Sequence, residues 1–207
     1  MDWDSRYQEN DTPWDLGCPA PSLVFLLQEK AAIFCHVKTA LVPGCGRGHD
    51  ALYLAENLPN AKINGLDLSE SALHAARQVD TRNLVDWQAG DFLKKIEVPD
   101  PSYDLIWEHT CFCAIPPADR VRYAVNAHHL LKPNGFLLGV FYLDTGISPA
   151  DGPPFGTDME ELKNIFGGNF MLEWHDASPP TAPKRQGREV LILWRRLASC
   201  ADGICAI

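Results

Sequence analysis

The sequence predicts an α/β fold: a mostly parallel seven-stranded sheet with helices on both faces and an antiparallel closing strand. Three observations carry this prediction. Short apolar runs bounded by Gly, Pro and Asp alternate with segments whose apolar residues recur at helical spacing. The stretch Thr39 to Ala55, TALVPGCGRGHDALYLA, reads as strand, glycine turn and helix. The last two apolar runs, Phe170 to His175 and Glu189 to Trp194, have no helix between them, as an antiparallel pair requires.

A chain of 207 residues fits one domain, with residues 1–35 as an N-terminal lid and helix, 36–197 as the core and 198–207 as a tail. Its composition, 46% apolar and 22% charged, is ordinary for a globular protein. A net charge of -9 with no Lys/Arg-rich run argues against a nucleic-acid partner. No apolar stretch reaches the length of a membrane span, and Met1-Asp2-Trp3-Asp4 is no signal peptide. Seven cysteines without paired spacing argue against a disulfide framework and for a reducing cytoplasm. Cys111-x-Cys113 lacks a second pair at metal-ligand spacing, so buried thiols and no metal are expected. Cys200 and Cys205 receive no role, and a monomer is expected.

In chain order, Trp3, Tyr7 and Trp14 make the irregular first segment too aromatic for a free tail. They either plug the open end of the core or roof a ligand, where a tryptophan can also face a cation. Pro21 opens a helix to Phe34, with Leu23, Leu26, Leu27 and Ala31 on one face. Strand one, Ala40 to Val42, stops at Pro43, and a helix runs to about Asn57. Ala61 to Leu66 is strand two, ending at Asp67, with Ser69 starting the next helix. Strands three and four are Val85 to Ala89 and Tyr103 to Trp107. Asp119 to Leu131 is helical, Lys132 to Gly135 is a turn and Phe136 to Leu143 is strand five. Asp144 to Thr157 is a Gly- and Pro-rich loop of functional length, and Met159 to Phe166 is helical.

In open sheets ligands lie beyond the carboxyl ends of the strands. Gly44 to Gly48, Asp67, Asp91 and Glu108 fall at those ends in strand order. Glycines let the backbone turn and let a ligand approach the main chain, and the helix start that follows offers unpaired N–H groups. A dinucleotide fingerprint needs a small residue where this chain has His49. The pattern V-P-G-C-G-x-G-x-D instead resembles the S-adenosylmethionine (SAM) loop of Rossmann-like methyltransferases. Asp67, roughly 20 positions beyond the turn, suits either both ribose hydroxyls or a helix cap. Asp91 suits the adenine amino group, with Phe92 packed on the ring.

The chain resembles the thiopurine methyltransferase superfamily, and within it the thiol/halide methyltransferase branch. The stretches TPWDLGCPAP, LVPGCGRGHD, NGLDLSESAL, AGDF, FCAIPP, LLKPNG and DGPPF carry the likeness across nearly the whole chain. The resemblance implies a class I, Rossmann-like fold, SAM as cofactor, S-adenosylhomocysteine (SAH) as product and a small-molecule acceptor. It implies cofactor contacts from Trp3, Tyr7, Trp14, Gly44, Cys45, Gly46, Gly48, Asp67, Leu68, Asp91, Phe92 and Glu108. On the acceptor side it implies Arg120, Tyr142 and Phe155. Arg120 either reaches the acceptor or decorates a helix surface. His109 is either a base for a neutral thiol or a structural hydrogen-bonding group at the strand end. Two departures bear on the acceptor. Phe155 stands where halide-active plant members carry tyrosine, and Glu108-His109-Thr110 replaces their aspartate-tyrosine type. The expected reaction is methyl transfer to a soft nucleophile, sulfur first, with halide, selenium or tellurium species as further candidates. A nicotinamide-dependent oxidoreductase and a non-catalytic SAM-binding module are the rival readings.

Overall fold

The strands are β1 (Thr39–Pro43), β2 (Lys62–Asp67), β3 (Val85–Ala89), β4 (Tyr103–His109), β5 (Leu131–Tyr142), β6 (Phe170–Asp176) and β7 (Glu189–Arg196). They form one seven-stranded sheet in the order β3-β2-β1-β4-β5-β7-β6. The first five are parallel neighbours, while β7 runs antiparallel between β5 and the edge strand β6. The computed structural model describes residues 1–94, 101–148 and 151–198; Cys200, Cys205 and the expected tail beyond 198 lie outside them. Among the described residues no helix is long and apolar enough to cross a membrane.

The helices are α1 (Trp3–Gln8), α2 (Pro21–Glu29), α3 (His49–Asn57), α4 (Glu70–Val79), α5 (Arg120–Leu130) and α6 (Met159–Phe166). Side chains alternate across the sheet, as a period of two demands. Leu41, Ile106 and Leu137 pack with Tyr123 of α5 and Phe166 of α6. Their neighbours Val42, Trp107 and Leu138 pack with Leu23 of α2 and Leu54 of α3. Both faces are therefore covered, which is why the central strands read as nearly continuous apolar runs.

Two expected elements change form. The helix from Pro21 ends at Glu29, and Ala31–Phe34 continues as a 3-10 turn. The Lys132 to Gly135 turn is absorbed into β5 as a bulge, because Tyr103 pairs with Leu131 while Leu105 pairs with Phe136. Asn134, at φ 63°, supplies the left-handed residue that this bulge needs.

Phe166 binds the α5/α6 layer together. It is fully buried and meets the rings of Phe112, Phe141, Phe170 and Trp194 at 5.4–5.8 Å. Phe166→Ala is expected to cost about 3–5 kcal/mol, read as a lowered urea midpoint with an unchanged slope. A loss under about 1 kcal/mol would mean that the layer closes without that ring.

Candidate active site

The strand order reverses between β1 and β4, so the loops after these strands diverge and leave a crevice at the carboxyl edge. A cavity of about 360 Å³ occupies it. Gly44, Asp67, Gly90, Asp91 and Thr110 line it from the ends of successive strands. Trp3, Tyr7 and Trp14 roof it, so the aromatic start of the chain covers the cavity rather than the core. A second pocket of about 50 Å³ lies behind, shared by Trp14, Cys45, Gly46, Asp50 and His109.

The glycine turn is built for close approach. Gly44 and Gly46 have φ of 60° and 54°. A Cβ on Gly44 would stand 2.9 Å from Cys111 Sγ, and one on Gly46 2.6 Å from the Tyr7 hydroxyl. Either would fill the space where turn, roof and β4 loop converge. Gly48 serves a different end: it begins α3 with φ 83° and makes room for the Trp87 indole, and it lines neither pocket.

Asp67 lines the cavity and organises its surroundings. Oδ2 accepts from Gly46 N at 2.8 Å and Oδ1 from Ser69 N at 2.9 Å. Burial raises its pKa. Each oxygen keeps lone-pair capacity for a ligand hydroxyl. Capping of α4 itself falls to Ser69, whose Oγ accepts from Ala72 N at 3.0 Å. Leu68, Asp91 and Phe92 also line this half of the cavity.

The roof is fixed by charge. Asp4 accepts from Ser69 Oγ at 2.7 Å and Ser71 N at 2.9 Å. Arg47 Nη1 donates to Asp15 at 3.0 Å and Nη2 to Asn10 at 2.9 Å. His49 Nε2 lies 3.2 Å from Asp15 Oδ1 without a well-directed hydrogen bond, so that contact is electrostatic. Trp3 and Tyr7 both meet Trp14 edge-on, and Trp14 Nε1 donates to the Tyr7 hydroxyl at 3.1 Å. The cation over Trp14 is Arg6, 4.4 Å from the ring centroid.

The other half of the cavity is lined by Cys111, Cys113, Ile115, Tyr142, Pro154 and Arg185. Burial pushes the Cys113 thiol up to about 12 and the Cys111 thiol well above its usual value. Arg185, with 8% exposure, is the residue that sequence reasoning missed. Its Nη2 donates to Trp14 O at 2.9 Å, and its Nη1 lies 3.3 Å from both Glu189 Oε1 and His109 Nε2. Glu189 is a local i,i+4 partner, but Trp14 and His109 come from distant parts of the chain, so no local pattern could announce the cluster.

Seven expected contacts do not line the main cavity, Gly48 among them. Arg120 is fully buried beneath it: Nη2 donates to Phe155 O at 2.9 Å, and Nη1 to Gly156 O at 3.1 Å and Glu161 Oε1 at 2.8 Å. It ties down the late loop and neither touches the cavity nor decorates a surface. Phe155 is held by its backbone N–H on Cys113 O at 2.6 Å, and the prolines before it form the wall. Glu108 is fully buried; its carboxylate accepts from Phe112 N at 2.7 Å and from the Tyr123 hydroxyl. Burial raises Glu108 to about 7. His109 lines the rear pocket, with Nδ1 2.9 Å from Asp50 Oδ2. Cys45 and Gly46 line that pocket as well.

Asp15 and His49 make the roof contact depend on pH. The facing His49 side chain, with Gly17 N–H and Arg47, holds Asp15 at about 2, and Asp15 in turn raises His49. The Asp15 contribution is present above its ordinary ~3.9 and is lost as pH falls through about 2. The His49 contribution is present below its ordinary ~6.5 and is lost as pH rises through its raised value. The melting temperature of the native protein should therefore exceed that of His49→Gln most near pH ~5.5, and the gap should close toward pH ~8.5. A gap that widens with pH would contradict the assignment.

The glycine cradle, the strand-end carboxylate of Asp67 and the adjoining Leu68 and Phe92 suit a nucleoside carrying an amino-acid arm. The model of the thiopurine S-methyltransferase family matches residues 1–194. Thiocyanate methyltransferase 1 of Arabidopsis thaliana is 32% identical over 199 residues, covering 94% of this chain and 84% of the relative. A solved structure from work on conversion of a disulfide bond into a thioacetal group during echinomycin biosynthesis superposes with a TM-score of 0.76. It is 24% identical and covers 97% of this chain and 95% of that one. The N-methyltransferase NodS from Bradyrhizobium japonicum, solved with SAH, gives a TM-score of 0.69 at 17% identity over 93% of this chain and 95% of its own. The sheet order, the glycine cradle and these matches agree: the chain belongs to the thiopurine S-methyltransferase family of SAM-dependent methyltransferases.

Proposed function

We propose that this chain moves the methyl group of SAM to a small, soft, anionic nucleophile, sulfur foremost, with halide, selenium and tellurium species as further acceptors. One observation carries the reading: the cavity is divided by charge. The carboxylates of Asp67 and Asp91 line it with Leu68 and Phe92, and the buried guanidinium of Arg185, ion-paired with Glu189, lines it with Tyr142 and an apolar and sulfur-lined wall, while the Arg6 guanidinium in the roof is ion-paired with Asp11. A nucleoside with donor groups suits the carboxylate set and an anion the Arg185 set. Size supports a small acceptor. About 360 Å³ lies near the low end for a single drug-sized ligand, so a shared cavity leaves space for few acceptor atoms.

When bound, SAM supplies a methyl group on a sulfonium centre. The chain's part is to bind, orient and dry the reactants. Asp67 accepts from the ribose hydroxyls, Asp91 from the adenine amino group, and Leu68 and Phe92 flank the ring. Trp3, Tyr7 and Trp14 exclude water, which strengthens attraction between the nucleophile and its surroundings. Arg185 holds the incoming anion, and Cys111, Cys113, Tyr142 and Pro154 shape its approach. Holding two reactants in line is worth up to ~7–11 kcal/mol. An acceptor that arrives as an anion needs no base, and none is assigned. Residues 1–207 act as one domain, 1–35 forming the roof and its helix, in a cytoplasmic monomer.

Isothermal titration with SAM and SAH, followed by turnover with iodide, bisulfide, small thiols, thiopurines and selenite, tests this reading. Binding of both cofactor forms and fastest turnover of bisulfide or a small thiol are expected. Absence of binding, or binding without turnover of any acceptor, would overturn it. Asp67→Ala should weaken SAH binding by about 1.5–3 kcal/mol, the worth of hydrogen bonds to a charged group. An unchanged dissociation constant would remove the carboxylate from the ribose.

A further inference from the structure

Behind the cavity a buried chain of polar groups runs from the helix after the glycine turn to the roof. Asp50, in the first turn of α3, collects three donors: Ala20 N at 2.7 Å on Oδ1, and Trp107 Nε1 at 2.8 Å and His109 Nδ1 at 2.9 Å on Oδ2. Burial opposes its charge, but His109 and the other donors outweigh that cost and keep the carboxyl below its ordinary value. A carboxylate cannot donate, so Nδ1 carries a proton, and in the neutral ring Nε2 is then the acceptor. Arg185 Nη1 stands 3.3 Å from that Nε2 and also 3.3 Å from Glu189 Oε1, so His109 and Glu189 hold the same nitrogen from two sides. On its other side, Arg185 Nη2 holds the carbonyl of Trp14 at 2.9 Å. Asp50 and His109 line only the rear pocket, whereas Arg185 and Trp14 line the main cavity.

We propose that Asp50 and His109 form a positioning relay that aims Arg185 and, through it, pins the roof at Trp14. The inference rests on the reading of Arg185 as the acceptor-facing cation. It assigns His109 a role distinct from proton removal, since its one free lone pair already faces a guanidinium. It also makes Asp50 a determinant of acceptor binding although it never touches the acceptor. The tautomer is the working part. An amide at position 50 would turn an N–H toward either Ala20 N–H or the Trp107 and His109 N–H groups. The second choice drives the ring proton to Nε2, against the Arg185 donors.

Substitutions at His109 separate this relay from packing and from base catalysis. Glutamine can donate to Asp50 and accept from Arg185, whereas leucine can do neither. His109→Leu should raise the acceptor KM, measured with bisulfide, about tenfold or more, with the SAH dissociation constant held within about twofold. His109→Gln should remain within about threefold of native, a rescue that a catalytic base would not show. Asp50→Asn should resemble His109→Leu, and adding His109→Leu to Arg185→Lys should cost little beyond Arg185→Lys alone. Because Asp50 also holds Ala20 and Trp107, the His109 pair is decisive if Asp50→Asn folds poorly. Amide exchange over residues 3–16 of the SAH complex gives a second readout: His109→Leu should lose protection there and His109→Gln should keep it. Equal effects of leucine and glutamine, or native KM and native protection in His109→Leu, would overturn the relay. Native enzyme that turns over no acceptor overturns the proposed function instead, and the exchange readout then decides the relay by itself.

Discussion

The reversal of strand order between β1 and β4 is the constraint on which the site depends. Parallel strands on either side send their following loops in opposite directions, and the cavity lies in the crevice between them. The floor of the cavity is carried there by strand ends, Gly44 by β1, Asp67 by β2, Asp91 by β3, Thr110 by β4 and Tyr142 by β5, whereas the roof aromatics and Arg185 come from other segments. The register of these strands therefore sets the spacing of the chemistry. A β-branched residue held at φ 64°, Thr110, marks how tightly the β4 loop must turn to line both pockets. Such a backbone persists only where its surroundings over-determine it.

Closure of the crevice is electrostatic. The first sixteen residues bury little of their own and instead attach through Asp4 to the start of α4 and through Asp15 to the start of α3. Carboxylates at helix starts are favourably placed. The roof is thus tied to the two helices that follow β1 and β2, and the geometry of roof and floor is shared. Arg185 supplies a third attachment from the opposite side of the sheet, through the Trp14 carbonyl.

The sheet was legible in the sequence because its strands are buried on both faces, and runs such as YDLIW cannot be accounted for otherwise. The end of the cavity proposed for the cofactor was legible for a related reason: glycines at positive φ and acids at strand ends are local features that leave a local trace. The Lys132 to Gly135 segment shows the limit, since the same residues that make a turn also make a bulge and only pairing with β4 decides. The end proposed for the acceptor was the least legible. Arg120 has the composition of a ligand-reaching arginine, yet its neighbours Phe155, Gly156 and Glu161, more than thirty positions away, consume it as a strut. Arg185 sits in a stretch with no pattern and becomes central only because Trp14, 171 positions earlier, and His109 converge on it.

The two sulfurs in the cavity wall carry a further consequence. On the proposed reading, a chamber that takes a potent alkylating agent beside cysteine side chains would face the hazard of modifying itself. Thiolates, not thiols, react as nucleophiles. With Cys113 pushed to about 12 and Cys111 well above its usual value by burial, both stay protonated at neutral pH. On that reading, the burial that would strip water from a visiting anion leaves the resident thiols protonated, so the wall would be polarisable without competing for the methyl group.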